Sequence, residues 1–134
     1  MMKRVQRKRT KGYKMPENTK YVGRPTKWGN PFRVEELGAE EAVKRYKECI
    51  LNNAMCYAYL DEIEASIQFD RFKWMAENLE QLRGLDLACF CSLFNKKAEY
   101  MPCHADILLS LSNNISLKDV INENIRQEKL LRTK

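Results

Sequence analysis

The chain has 134 residues and a mass of 15.8 kDa, enough for one domain with an extension and too little for two independent cores. With 44% hydrophobic and 31% charged residues it has a globular balance; no apolar run approaches the roughly 18 residues of a membrane span, and MMKRVQRKRTK lacks the apolar stretch of a signal peptide. A soluble, cytoplasmic protein with no membrane partner is therefore expected.

The net charge of +6 is unevenly placed: residues 1–33 hold eleven Lys or Arg against Glu17 alone, a balance of +10, leaving −4 over residues 34–134. Such an asymmetry predicts a surface or pocket that attracts anions, whether polynucleotide, free nucleotide or phosphorylated metabolite. The five cysteines are an odd count and are read as reduced thiols.

In chain order, Met2 to Arg9 and Lys20 to Gly23 read as short strands. Gly23 to Phe32 has the Gly/Pro composition of an ordered loop. Over residues 39–52, Ala42, Val43, Tyr46, Cys49 and Ile50 recur at spacings of three and four, which predicts an amphipathic helix. Residues 56–66 and 70–82 read as two further helices, the second stopped at Gly84. Leu85 to Cys91 suits a buried strand, Cys103 to Leu111 a helix after Pro102, and Ser116 to Leu131 a last amphipathic helix capped by Ser116. Strand, loop, helices, strand, helix is an α/β order. The division expected is one α/β domain over 1–112 and a C-terminal helical extension over 113–134, whose apolar stripe either covers the domain or meets another copy in a homo-oligomer.

Two segments carry residues suited to chemistry. In the Gly23–Phe32 loop, Arg24 and Lys27 suit phosphate, Trp28 suits stacking on a planar ring, Gly29 admits close backbone approach, and Asn30 suits either a base edge or the loop itself. Neither GxxxxGK[ST] nor GxGxxG is present. Core anchoring is the competing role for Trp28 and Phe32. Asp61, Glu62 and Glu64 are read as a solvated helix face.

The second segment is Cys89-x-Cys91 followed by Cys103-His104. By ligand type these are a tetrahedral set for zinc, but the spacing argues against one: zinc pairs sit two to four residues apart on a turn, and the adjacent side chains of Cys103 and His104 should diverge. The expectation is no metal, and a core role for Cys89. Cys103 and His104 open a helix, where free backbone N–H groups favour an anion. If the protein is an enzyme, Cys103 or His104 is the nucleophile or base and Asp106 orients the imidazole.

Val-Gln-Arg-Lys-Arg-Thr-Lys-Gly-Tyr-Lys-Met-Pro-Glu-Asn-Thr at 5–19, Tyr-Val-Gly-Arg-Pro-Thr-Lys-Trp-Gly-Asn-Pro-Phe at 21–32, Leu-Arg-Gly-Leu-Asp-Leu-Ala-Cys-Phe-Cys at 82–91 and Pro-Cys-His-Ala-Asp-Ile-Leu-Leu at 102–109 form a pattern. It resembles the bacterial and phage family catalogued as domain of unknown function 4326, over residues 3 to about 112. The resemblance implies a small Rossmann-like α/β domain, akin in style to nucleotide-binding and nucleotide-processing modules. It marks Arg24, Lys27, Trp28, Gly29, Asn30, Cys89, Cys91, Cys103 and His104 as motif positions, and names no reaction or cofactor. Two departures stand out: Phe90 replaces a common Trp, and the stretch from Cys91 to Cys103 is long.

The expected function is binding of a small nucleotide-like anion between the Gly23–Phe32 loop and the helix start at Cys103-His104, which in a phage setting would sequester a signalling nucleotide. The alternatives are a hydrolase or transferase acting on a nucleotide or nucleoside, and nucleic-acid binding through the basic N-terminal segment.

Overall fold

The computed structural model describes residues 2–132. Its sheet has three short parallel strands, β1 (Arg4–Gln6), β2 (Thr19–Tyr21) and β3 (Asp86–Cys89), in the order β1-β3-β2. Val5 faces Ala88 on one side of β3, and Tyr21 faces Ala88 on the other. The central place of β3 follows from its sequence: Leu87, Ala88 and Cys89 are all buried, as in a parallel strand covered on both faces. The two edge strands tolerate Gln6 and Lys20 because only one of their edges is paired.

Between β2 and β3 lie α1 (Val34–Leu37), α2 (Ala39–Leu51), a 3-10 turn, α3 (Cys56–Tyr59), α4 (Glu62–Asn78) and a second 3-10 turn (Leu79–Leu82). The stripe predicted on α2 is the buried one. Tyr46 from this stripe meets Phe72 of α4 edge to face, with ring centroids 5.3 Å apart.

The break expected near residues 67–69 lies instead at Leu60-Asp61. The Asp61 carboxylate accepts the Glu64 N–H at 2.9 Å, so it caps α4, and the helix then runs unbroken because Ala65, Gln68, Phe72 and Met75 hold one buried stripe. One member of the acidic cluster thus has a structural task. Gly84, with φ +79°, follows the second 3-10 turn and brings the chain into β3.

After β3, residues 91–103 return across the end of the sheet. Phe94 and Tyr100 form an antiparallel bridge, and Asn95 Oδ1 accepts the N–H groups of Lys97 and Glu99, both at 2.9 Å. The long stretch between the cysteine motifs is therefore a small hairpin-like flap. Next comes α5 (His104–Asn113), almost wholly buried through Ala105, Ile107, Leu108 and Leu109.

The last helix, α6 (Leu117–Arg132), starts as predicted, with Ser116 Oγ accepting the Asp119 N–H at 3.1 Å. It packs on α5, and Val120 and Asn124 are buried. Among the described residues, no helix is long and apolar enough to cross a membrane.

Candidate functional site

The Gly23–Phe32 loop is a rigid frame. Asn30 locks it from inside, donating to the Ala42 carbonyl at 3.1 Å and accepting the Phe32 N–H at 2.9 Å. Trp28 is buried against Trp74, with centroids 5.0 Å apart, and its carbonyl accepts the Tyr46 hydroxyl at 2.8 Å. Its ring is a core anchor and does not face a ligand. A Cβ on Gly29 would lie 3.2 Å from Arg24 N, so this glycine serves the close approach of two parts of the loop to each other. Lys27 sits 4.8 Å over the Trp74 ring. Arg24 is exposed, its Nε held by the Asn30 carbonyl at 3.0 Å.

At the opposite side of β3, Arg4 is interior despite belonging to the basic N-terminal segment. Its guanidinium reaches the Asp106 carboxylate at 3.3 Å and the Met101 carbonyl at 2.9 Å. Asp106 also accepts from the Tyr100 hydroxyl at 2.9 Å, from Asn124 Nδ2 at 3.0 Å and from the Cys103 N–H at 3.2 Å. Burial raises the Asp106 pKa, and Arg4 and the other donors oppose that shift. Burial lowers that of Arg4, but Asp106 together with Cys103, Tyr100 and Cys89 outweighs it, so the net shift is upward.

This network ties β1, the flap, α5 and α6 together. It also assigns Asp106 away from His104. The imidazole is held instead by the Val22 carbonyl, 2.9 Å from Nε2. A carbonyl only accepts, so Nε2 carries the proton, and burial lowers the ring's pKa. The Asp106–His104 pairing expected of an enzyme is absent, and of the backbone N–H groups at the helix start that of Cys103 is taken by Asp106.

Cys103 and His104, expected to diverge, lie together, and the cysteines gather around the first of them. Cys103 Sγ lies 3.2 Å from Cys89 Sγ and 3.4 Å from His104 Nδ1. Cys89, Cys91 and Cys103 offer sulfur atoms that all lie within 4.8 Å of one another. The reason is topological: Cys89 ends β3, Cys91 is the second residue beyond it, and the flap brings Cys103 back to the same point as the residue before α5.

Thiol hydrogen bonds from Cys89 and Cys91 favour the Cys103 thiolate and set its pKa well below the usual thiol range, against the opposing effect of burial. The same contacts raise those of Cys89 and Cys91. Cys89 and Cys103 are buried, while Cys91 is exposed. Among the described residues these three thiols are the group placed to hold a metal ion.

The loop and the thiol cluster face one cavity of about 790 Å³ at the carboxyl ends of β2 and β3. Arg24, Asn30, Cys103 and His104 line it together, whereas Lys27, Trp28, Gly29 and Asp106 do not. Sequence reasoning missed Arg9, Lys96, Tyr21 and Phe90, which also line it. The Arg9 guanidinium lies 4.0 Å over the Phe90 ring, and Phe90 meets Tyr21 edge to face at 5.6 Å. The signal for Arg9 was the basic run after β1; what it lacked was the parallel pairing with β3 that brings that run to Phe90.

No curated protein and no solved structure matches the chain. A family model does, over residues 5–114, from within β1 to just past the end of α5. The chain therefore belongs to the family described as Domain of unknown function (DUF4326).

Proposed function

We propose that the cavity binds a small, nucleotide-like anionic ligand. The observation that carries this reading is the cavity wall: Arg9, Arg24 and Lys96 stand against the single carboxylate of Glu35. Its volume of about 790 Å³ falls in the range of small-molecule sites, and its place outside the carboxyl ends of parallel strands is the usual one for open α/β sheets. A Rossmann-like mode of binding belongs to this same reading. Arg24 and Arg9 pair with phosphate, and the stacking role first considered for Trp28 passes to Phe90 and Tyr21, which lie on the wall.

Binding is preferred to catalysis by the expected triad because Asp106 bonds to Arg4, Tyr100, Asn124 and Cys103 N and has no part in orienting His104. It is preferred to a nucleic-acid interface because Arg4, a member of the basic run, is interior and paired with Asp106.

The test is calorimetric titration with a panel of mono-, di- and cyclic nucleotides. At least one should bind, and Arg9→Ala and Arg24→Ala should each weaken it about tenfold, the scale of one charge-assisted hydrogen bond. Absence of heat across the panel, or affinity unchanged in both variants, would overturn the reading. A steep loss of polynucleotide affinity with salt would favour the nucleic-acid alternative instead.

A further inference from the structure

Two features of the thiol cluster go beyond what folding requires, although Cys103 itself also closes the start of α5 in a capping box with Asp106, whose carboxylate accepts the Cys103 N–H at 3.2 Å. Cys91 is an exposed thiol in a short connection. The chain also makes a long excursion through the flap to return Cys103 to within 3.2 Å of Cys89. By contrast, Cys49 and Cys56 are ordinary core thiols, buried between α2 and α3, with burial pushing their pKa values up.

We infer that Cys89, Cys91 and Cys103 bind one zinc-class divalent ion through their thiolates at the floor of the cavity, with the fourth coordination position open to the cavity. Size supports this. With Zn–S bonds of about 2.3 Å, tetrahedral sulfur ligands sit about 3.8 Å apart. The Cys89–Cys103 separation of 3.2 Å and the limit of 4.8 Å on all three pairs bracket that value. A four-iron cluster needs a wider set, because each thiolate there binds a different iron.

Ligand chemistry supports it as well, since three thiolates select a soft or borderline ion. The open position follows from two facts: Cys91 is exposed on the cavity wall, and His104 Nδ1 lies outside the three-sulfur set. Three protein ligands with a free position is the arrangement of zinc sites that engage a ligand or water. On binding, each sulfur that still carries a proton releases it to solvent as its bond to the ion forms.

The inference deepens the anion-pocket reading, because the free position lies in the cavity that reading assigns to the ligand's charged end. The two fail separately. Zinc is measured by plasma mass spectrometry on the full chain purified without chelator, and Co²⁺ alone is then titrated into the stripped protein while sulfur-to-cobalt charge transfer is followed in the near ultraviolet.

The expected result is one zinc per chain and a charge-transfer band. Cys91→Ser, whose exposed side chain leaves the core untouched, should reduce zinc retention by tenfold or more and weaken the band. Cys56→Ala, away from the cavity, should leave both unchanged in protein that remains folded by circular dichroism. Equal metal content in wild type and Cys91→Ser would overturn the inference, as would a lack of zinc and cobalt binding, or recovery of the chain with a Cys89–Cys103 disulfide and no metal. Nucleotide binding by protein that takes up no metal would overturn the inference and leave the pocket reading standing. Metal uptake with no nucleotide binding would do the reverse.

Discussion

The Gly23–Phe32 loop and the Cys89–His104 region face each other across one cavity, and they use their motif residues in opposite ways. In the loop the conspicuous side chains turn inward: Trp28 packs on Trp74, Asn30 ties the turn to α2, and of the two charged side chains Arg24 alone lines the cavity. Across the cavity, thiols that would suit a core are gathered at a point open to solvent through Cys91. One wall is a frame that presents a charge, and the other is a cluster of donors braced by a buried ion pair. Residue type was a poor guide to which was which; connection and register decided it.

The sharpest way to break this comparison is to remove the brace. Asp106→Ala strands the buried Arg4 charge and should cost about 3–5 kcal/mol, read as a shift in the urea midpoint at unchanged slope. If the variant keeps wild-type stability, the network does not hold the flap and the thiol wall has another support.

Trp28→Ala comes next, with an expected loss of about 3–5 kcal/mol for a core aromatic. A Trp28 variant that stays fully stable and loses only ligand would move this ring from the frame to the binding surface. The same denaturation series with nucleotide present separates the two outcomes.

Legibility in the sequence followed the range of the interactions involved. The buried stripe of α2, the apolar run of β3 and the Ser116 cap are local, and each was readable from its own few residues. Arg4 was not, because its carboxylate partner lies 102 residues away and nothing near it distinguishes it from Lys3 or Arg7. The single helix α4 was read as parts of two, 56–66 and 70–82, because the capping role of Asp61 was hidden in what looked like a solvated acidic face. The thiol cluster was not legible from spacing for a similar reason: the third sulfur arrives through a flap and not on one continuous turn.

Smaller effects sharpen the comparison at the rim. Arg24→Ala should change stability by no more than about 0.5 kcal/mol, since the side chain is exposed, yet it should weaken nucleotide binding about tenfold. Lys27→Ala should lose about 0.5–1 kcal/mol from its contact with the Trp74 ring and leave nucleotide affinity unchanged. An affinity loss at Lys27 equal to that at Arg24 would mean that both charges of the loop face the ligand.

The most direct measurement is an anomalous difference map at the zinc absorption edge, from a crystal of the full chain grown without chelator. The account predicts one peak at bonding distance, about 2.3 Å, from the sulfur atoms of Cys89, Cys91 and Cys103, beside the cavity that Arg9 and Arg24 line. Density joining Cys89 to Cys103 as a disulfide, or a thiol triangle with no peak, would contradict it.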